Sequence, residues 1–129
     1  MRHFVQYHNS DPDKMGSYRP STKNFGIVTN KLQGVGKGDI VWLLTGEGRP
    51  REYFLCETFS VEKISPQSVG RFSYRISSED GQSLYRLELD KTSSWFQELL
   101  KITGNFRYGL QRISSEAIIA GLKRAAAKG

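Results

Sequence analysis

Apolar positions cluster most densely in the stretch "GDIVWLLTGEGRPREYFLCETF", Gly38 to Phe59. Ile40, Trp42 and Leu44 alternate with Val41 and Leu43, so a strand here is apolar on both faces. Phe54, Leu55 and Cys56 repeat the pattern after a polar tip of Gly46, Glu47, Gly48, Arg49, Pro50 and Arg51. A hairpin with two greasy faces belongs at the centre of a fold, covered from both sides. Its polar tip then lies where the structure opens to water.

Period-two patterning also marks other segments. Arg2 to Asn9 reads as a first strand carrying Phe4, Val5 and Tyr7. "SDPDKMGSYRP" reads as a surface loop, because Asp, Pro and Gly favour turns. Asn24 to Asn30 is a short strand or turn of helix containing a glycine. "KLQGVGKGD" is a turn, since Lys37 leads into Gly38 and Asp39 where a phosphate-cradling loop needs Ser or Thr. "SVEKISP" continues or follows the hairpin, and "RFSYRIS" alternates strictly. Asp80 and Gly81 then predict a hairpin turn into "LYRLELD".

Helical spacing comes late. Ser94 is the expected cap of "SSWFQELLKIT", with Trp95, Phe96, Leu99 and Leu100 as its apolar stripe. "GNFRYGLQRI" reads as an irregular link. A last helix is expected from Ser114, stapled by Ile113 and Ile118 and carrying Ile119 and Leu122 inward. The pattern predicts one α+β domain over residues 1–129, with five or six strands and two helices.

Composition narrows the chemistry. Cys56 is the lone cysteine, which excludes an internal disulfide and a multi-cysteine zinc site. His3 and His8 are five apart, placing them on opposite faces of a strand rather than on one metal. No Gly-x-Ser-x-Gly elbow occurs, and no pattern of residues favours an enzyme or a cofactor. No apolar run reaches the length that crosses a bilayer, the first residues do not read as a secretory signal, and a reducing cytoplasmic setting is expected. Nineteen Lys and Arg against thirteen Asp and Glu leave a net charge of +6, which suits a polyanionic partner or simple solubility. Two Trp, six Tyr and seven Phe supply faces on which bases stack. Phe4, Phe54, Phe72, Tyr74 and Phe96 are assigned to the core, while Tyr7, Trp42, Tyr53 and Trp95 adjoin strand ends, the tip or a helix start.

The order "HFVQYHN", "NFGIVTN", "KGDIVWLLTGEG", "EYFLCETFSVEKI" resembles the PUA-like superfamily, particularly EVE and YTH domains. The resemblance covers roughly the first half of the chain. Ile27 and Val28 stand where YTH-like domains carry a tryptophan, so the EVE-like comparison is the closer one. It implies a small mixed or antiparallel β-barrel with two or three helices packed on it, whose mouth takes a single base. By position, the implied base pocket is Tyr7, His8, Asn9, Gly26, Ile27, Val28, Thr29, Trp42, Leu43, Leu44 and Thr45. Lys23, Arg49 and Arg51 are the expected phosphate contacts. The implied function is recognition of a modified base in DNA by base flipping, as in readers of modification-dependent restriction systems, with a fused or associated nuclease domain. The alternatives are an RNA-binding PUA-like module, or a protein or small-ligand domain whose charge is incidental.

Overall fold

In the computed structural model, residues 1–9, 24–66, 72–106 and 109–129 are described. Their elements are β1 (His3–Asn9), β2 (Phe25–Thr29), β3 (Ile40–Glu47), β4 (Glu52–Ser60), β5 (Lys63–Pro66), β6 (Tyr74–Ser78), β7 (Gly81–Glu88), α1 (Ser94–Ile102), β8 (Gln111–Ile113) and α2 (Glu116–Ala127). The fold is α+β. Among the described residues the strands form a five-stranded sheet, ordered β7-β4-β3-β1-β8, and a three-stranded sheet, ordered β2-β6-β5. No closed barrel is formed among these strands.

The doubly apolar hairpin holds the centre. β3 runs parallel to β1 and antiparallel to β4, and its residues from Val41 to Gly46 are all buried. Trp42 and Leu44 pack with Val5, Leu55, Phe96, Leu99, Ile118 and Leu122, under the two helices. Val41 and Leu43 pack on the opposite side with Phe4, Phe25, Ile27, Phe59 and Ile76, against the smaller sheet. The five-stranded sheet is therefore a middle layer, and alternation along β3 decides which core each side chain enters.

A register shift separates Leu43↔Glu57 from Leu44↔Leu55, leaving Cys56 as the extra residue of a bulge. Its Sγ lies 3.4 Å from Thr45 Oγ1, inside the second core. Burial pushes the thiol up to about 12.

The Asp80–Gly81 expectation requires correction. β6 pairs with β2 and β5, whereas β7 pairs with β4, so the turn carries the chain from one sheet to the other. Gly81 already belongs to β7, opposite Phe59. A Cβ there would fall 2.8 Å from Phe25, Phe59 and the Thr58 carbonyl, so glycine serves close packing between the layers. Ser78 and Glu62 hold the crossing: the Ser78 hydroxyl and the Glu79 and Asp80 amides all donate to Glu62 Oε1.

Helix boundaries shift by one residue. α1 is capped by Ser93, whose hydroxyl donates to the Asp90 carbonyl. α2 is capped by Ser115 Oγ, which accepts from the Ile118 amide, so Ser114 lies one place outside and Ile113 belongs to β8. The helices meet where Trp95 covers Gly121, with a Cβ position only 2.2 Å from the indole.

Candidate functional site

A cleft of about 1020 Å³ is lined by β1, the end of β2, the start of β4, the turn after α1 and the approach to β8. Tyr7, Tyr53, Phe72 and Phe106 supply its aromatic surface, and Gln6, Asn30, Gln33, Asn105 and Gln111 supply amides. Lys31, Arg51 and Arg112 supply positive charge, and no carboxylate occurs among the described residues lining it. An overall basic chain thus presents a cationic, aromatic and amide-rich concavity, suited to a planar ligand carrying negative charge.

The wall is built from the backbone outward. Tyr7 faces the helix side of β1, where it meets Phe106 in a parallel stack at 4.8 Å and 8°. Tyr53 tilts against both rings, and Phe96 anchors the group from α1. Arg51 Nη1 donates to the Tyr7 hydroxyl at 2.9 Å, tying the hairpin tip to the ring.

Phe106 reaches this stack through an uncommon backbone. The turn after α1 has Asn105 at φ 58° and Phe106 at φ 60°. The Asn105 amide donates to Leu100, and the Phe106 amide donates to Thr103 Oγ1. Thr103 in turn donates to the Leu99 carbonyl at 2.7 Å, so a buried hydroxyl secures both helix end and turn. Left-handed backbone at a bulky residue costs on the order of 1–3 kcal/mol. Gln33, at φ 53°, is the third such non-glycine residue among those described, and all three line the cleft.

Of the residues expected in the base pocket, Tyr7, Val28 and Thr29 line this cleft, and so does Arg51, expected as a phosphate contact. The other expected pocket residues do not line it. Trp42 is 4% exposed, and its Nε1 donates to His3 Nδ1 at 3.0 Å beneath the helices. Leu43, Leu44 and Thr45 are buried because β3 is covered on both faces. Ile27 is buried in the second core. Gly26 sits under the Arg75 guanidinium, and its amide donates to the buried Glu57 carboxylate. His8 and Asn9 continue β1 opposite Thr45 and Gly46. Arg49 is exposed on the hairpin tip, and Lys23 lies outside the described residues.

Sequence reasoning missed Phe106, Gln6, Gln111, Lys31 and Arg112, and it assigned Phe72 to the core, whereas that ring is half-buried at the cleft. A signal for Phe106 existed. Gly104 and Asn105 follow the last helical turn, and Gly-Asn there marks a helix stop that redirects the next side chain.

Fold and site together define a three-layer α+β protein with a basic, aromatic cleft at the end of its central strands. No protein-family model matches the chain, and none of the curated proteins compared with it matches.

Proposed function

We propose that this chain is a nucleic-acid binding module that receives one unstacked base, a modified base in DNA, in the cleft beside Tyr7. The observation that carries the reading is the Tyr7–Phe106 stack set among Lys31, Arg51 and Arg112. Aromatic faces hold bases at about 1–3 kcal/mol each, and Lys and Arg hold the flanking phosphates. Flipping exposes the base edge to amide side chains, which the cleft has in number. The PUA-like, EVE-like reading of the fold belongs to the same proposal: the two packed sheets would be an open form of the barrel, with the cleft as its mouth. A nuclease partner would act on what this module finds.

The test is a fluorescence-anisotropy titration of short duplexes with and without cytosine or adenine modifications. Single-stranded RNA of the same sequence is run beside them. The expected result is tighter binding to one modified duplex, weakening with salt as counterions are released. Arg112→Ala should lower the salt slope by about one phosphate contact. Preference for the RNA would transfer the reading to an RNA module. Absence of binding to every oligonucleotide at low salt would overturn it.

A further inference from the structure

The positive charges of the cleft stand on opposite sides of the middle sheet. Arg51 Nη1 donates to the Tyr7 hydroxyl, and the Tyr7 ring packs against the core beneath the helices. Lys91, just before α1, holds the Arg51 carbonyl on that same side. Arg112 lies directly across from Phe4 in the β1–β8 ladder, so their side chains share a face. Phe4 enters the second core, against the smaller sheet. Lys31 follows β2 of that smaller sheet, and its neighbour Leu32 packs on the second core.

The cleft joins these two sides where a ladder stops. Among the described residues β8 pairs with His3, Phe4 and Val5 of β1 and goes no further. The next two residues, Gln6 and Tyr7, both line the cleft. Successive strand residues face opposite ways, so Tyr7 bounds it from the helix side and Gln6 from the other. The Gln6 hydrogen bond agrees: Nε2 donates to the Val28 carbonyl of β2 at 2.8 Å. The cleft therefore runs past the edge of the middle sheet, with Arg51 on one side and Lys31 and Arg112 on the other.

We infer that this passage takes an internal nucleotide of a strand, with one neighbouring phosphate on Arg51 and the other on Lys31 and Arg112. The inference rests on the nucleic-acid reading above and adds to it the path of the backbone. Cations separated by the sheet suit two phosphates separated by a nucleoside, each gaining its own charge-assisted hydrogen bonds. A free nucleotide, or a base at the end of a strand, carries phosphate on one side and leaves the other cations unmatched. Selection for a position within a strand follows from where the charges stand, whatever the base.

The experiment uses the full chain and five-unit DNA strands in which every unit but one is an abasic phosphate spacer. The single base, 5-methylcytosine in one series and N6-methyladenine in another, stands at the centre or at either end. The central position should bind about tenfold tighter than either end, the range of one charge-assisted contact. An uncharged methylphosphonate is then placed on one side of the central base or the other, and each replacement should weaken wild-type binding. The double variant Lys31→Ala, Arg112→Ala should be indifferent to one replacement and Arg51→Gln to the opposite one, since a contact already lost cannot be lost again. Should Arg51→Gln fail to fold, the double variant at the exposed Lys31 and Arg112 decides alone, by staying sensitive to one replacement and not the other. Equal binding of central and end positions, no effect of either replacement, or both variants indifferent to the same phosphate overturns the inference alone. So does failure of these strands to bind where the modified duplexes bind. If no strand or duplex binds at low salt, the nucleic-acid reading falls and this one with it.

Discussion

The Tyr7 ring lies over Gly46 so closely that a Cβ there would fall 2.2 Å from the phenolic oxygen. Tyr7 pairs with Leu44 on β3 and leans two residues along the strand, across the gap that Gly46 leaves. That position lets Arg51 reach its hydroxyl and Phe106 reach its face. A glycine near the end of β3 thus decides where the cleft's aromatic wall stands.

Gly46→Ala should therefore move the wall. Overpacking of this kind costs about 1–3 kcal/mol, because the ring or the strand must shift. The expected outcome is a lower Tm together with weaker oligonucleotide binding. Ligand affinity equal to wild type, in a folded variant, would show that the Tyr7 position is immaterial to the site.

Cys56 should be nearly inert in the native protein. Its thiol is pushed up to about 12 by burial in the second core, and the thiolate is the reactive form. Reaction with a thiol reagent at pH 8 should be at least about a hundredfold slower for the folded chain than in denaturant. Equal rates in the two states would contradict the burial that closes the bulge.

The same residues explain what the sequence made legible. The alternation of Ile40, Trp42 and Leu44 against Val41 and Leu43 was sufficient to place β3 between two cores, because period two assigns faces without knowledge of partners. Partner choice was not legible. Asp80–Gly81 has the local chemistry of a hairpin, yet Glu62 gathers its donors and the chain crosses between sheets. The same doubly covered strand explains why Trp42, Leu43 and Leu44 are absent from the cleft: a face toward a second layer is a core face. Gly104 and Asn105 mark the turn that carries Phe106, but its stacking on Tyr7 and the pairing of β8 with β1 that places Arg112 are contacts distant in sequence, which no local pattern encodes.

Gly121 tests the helix layer in the same manner. A Cβ at this position meets the Trp95 indole at 2.2 Å, and both α1 and α2 are packed on the sheet around it. Helix propensity alone would make Gly121→Ala stabilising by up to about 1 kcal/mol. The contact should outweigh that gain, so the variant should unfold at lower denaturant with Trp95 fluorescence altered. A more stable variant would mean that the helices separate freely.

His3 links the cleft strand to acid sensitivity. Its Nδ1 accepts from Trp42 Nε1, a bond that requires the imidazole unprotonated at that atom. Burial holds its pKa below the ordinary 6.5, assisted by the Lys123 and N-terminal charges, with Asp39 opposing them. A depressed histidine pKa means that the unfolded chain binds the proton first as pH falls. This contribution to stability is therefore complete above pH 6.5 and declines below it, toward the lowered folded value. Denaturant midpoints measured from pH 7.5 to 5 should fall for the wild type, and His3→Gln should flatten that limb at the cost of a lower midpoint at neutral pH. An acid limb of the same steepness in His3→Gln would assign the loss to other groups.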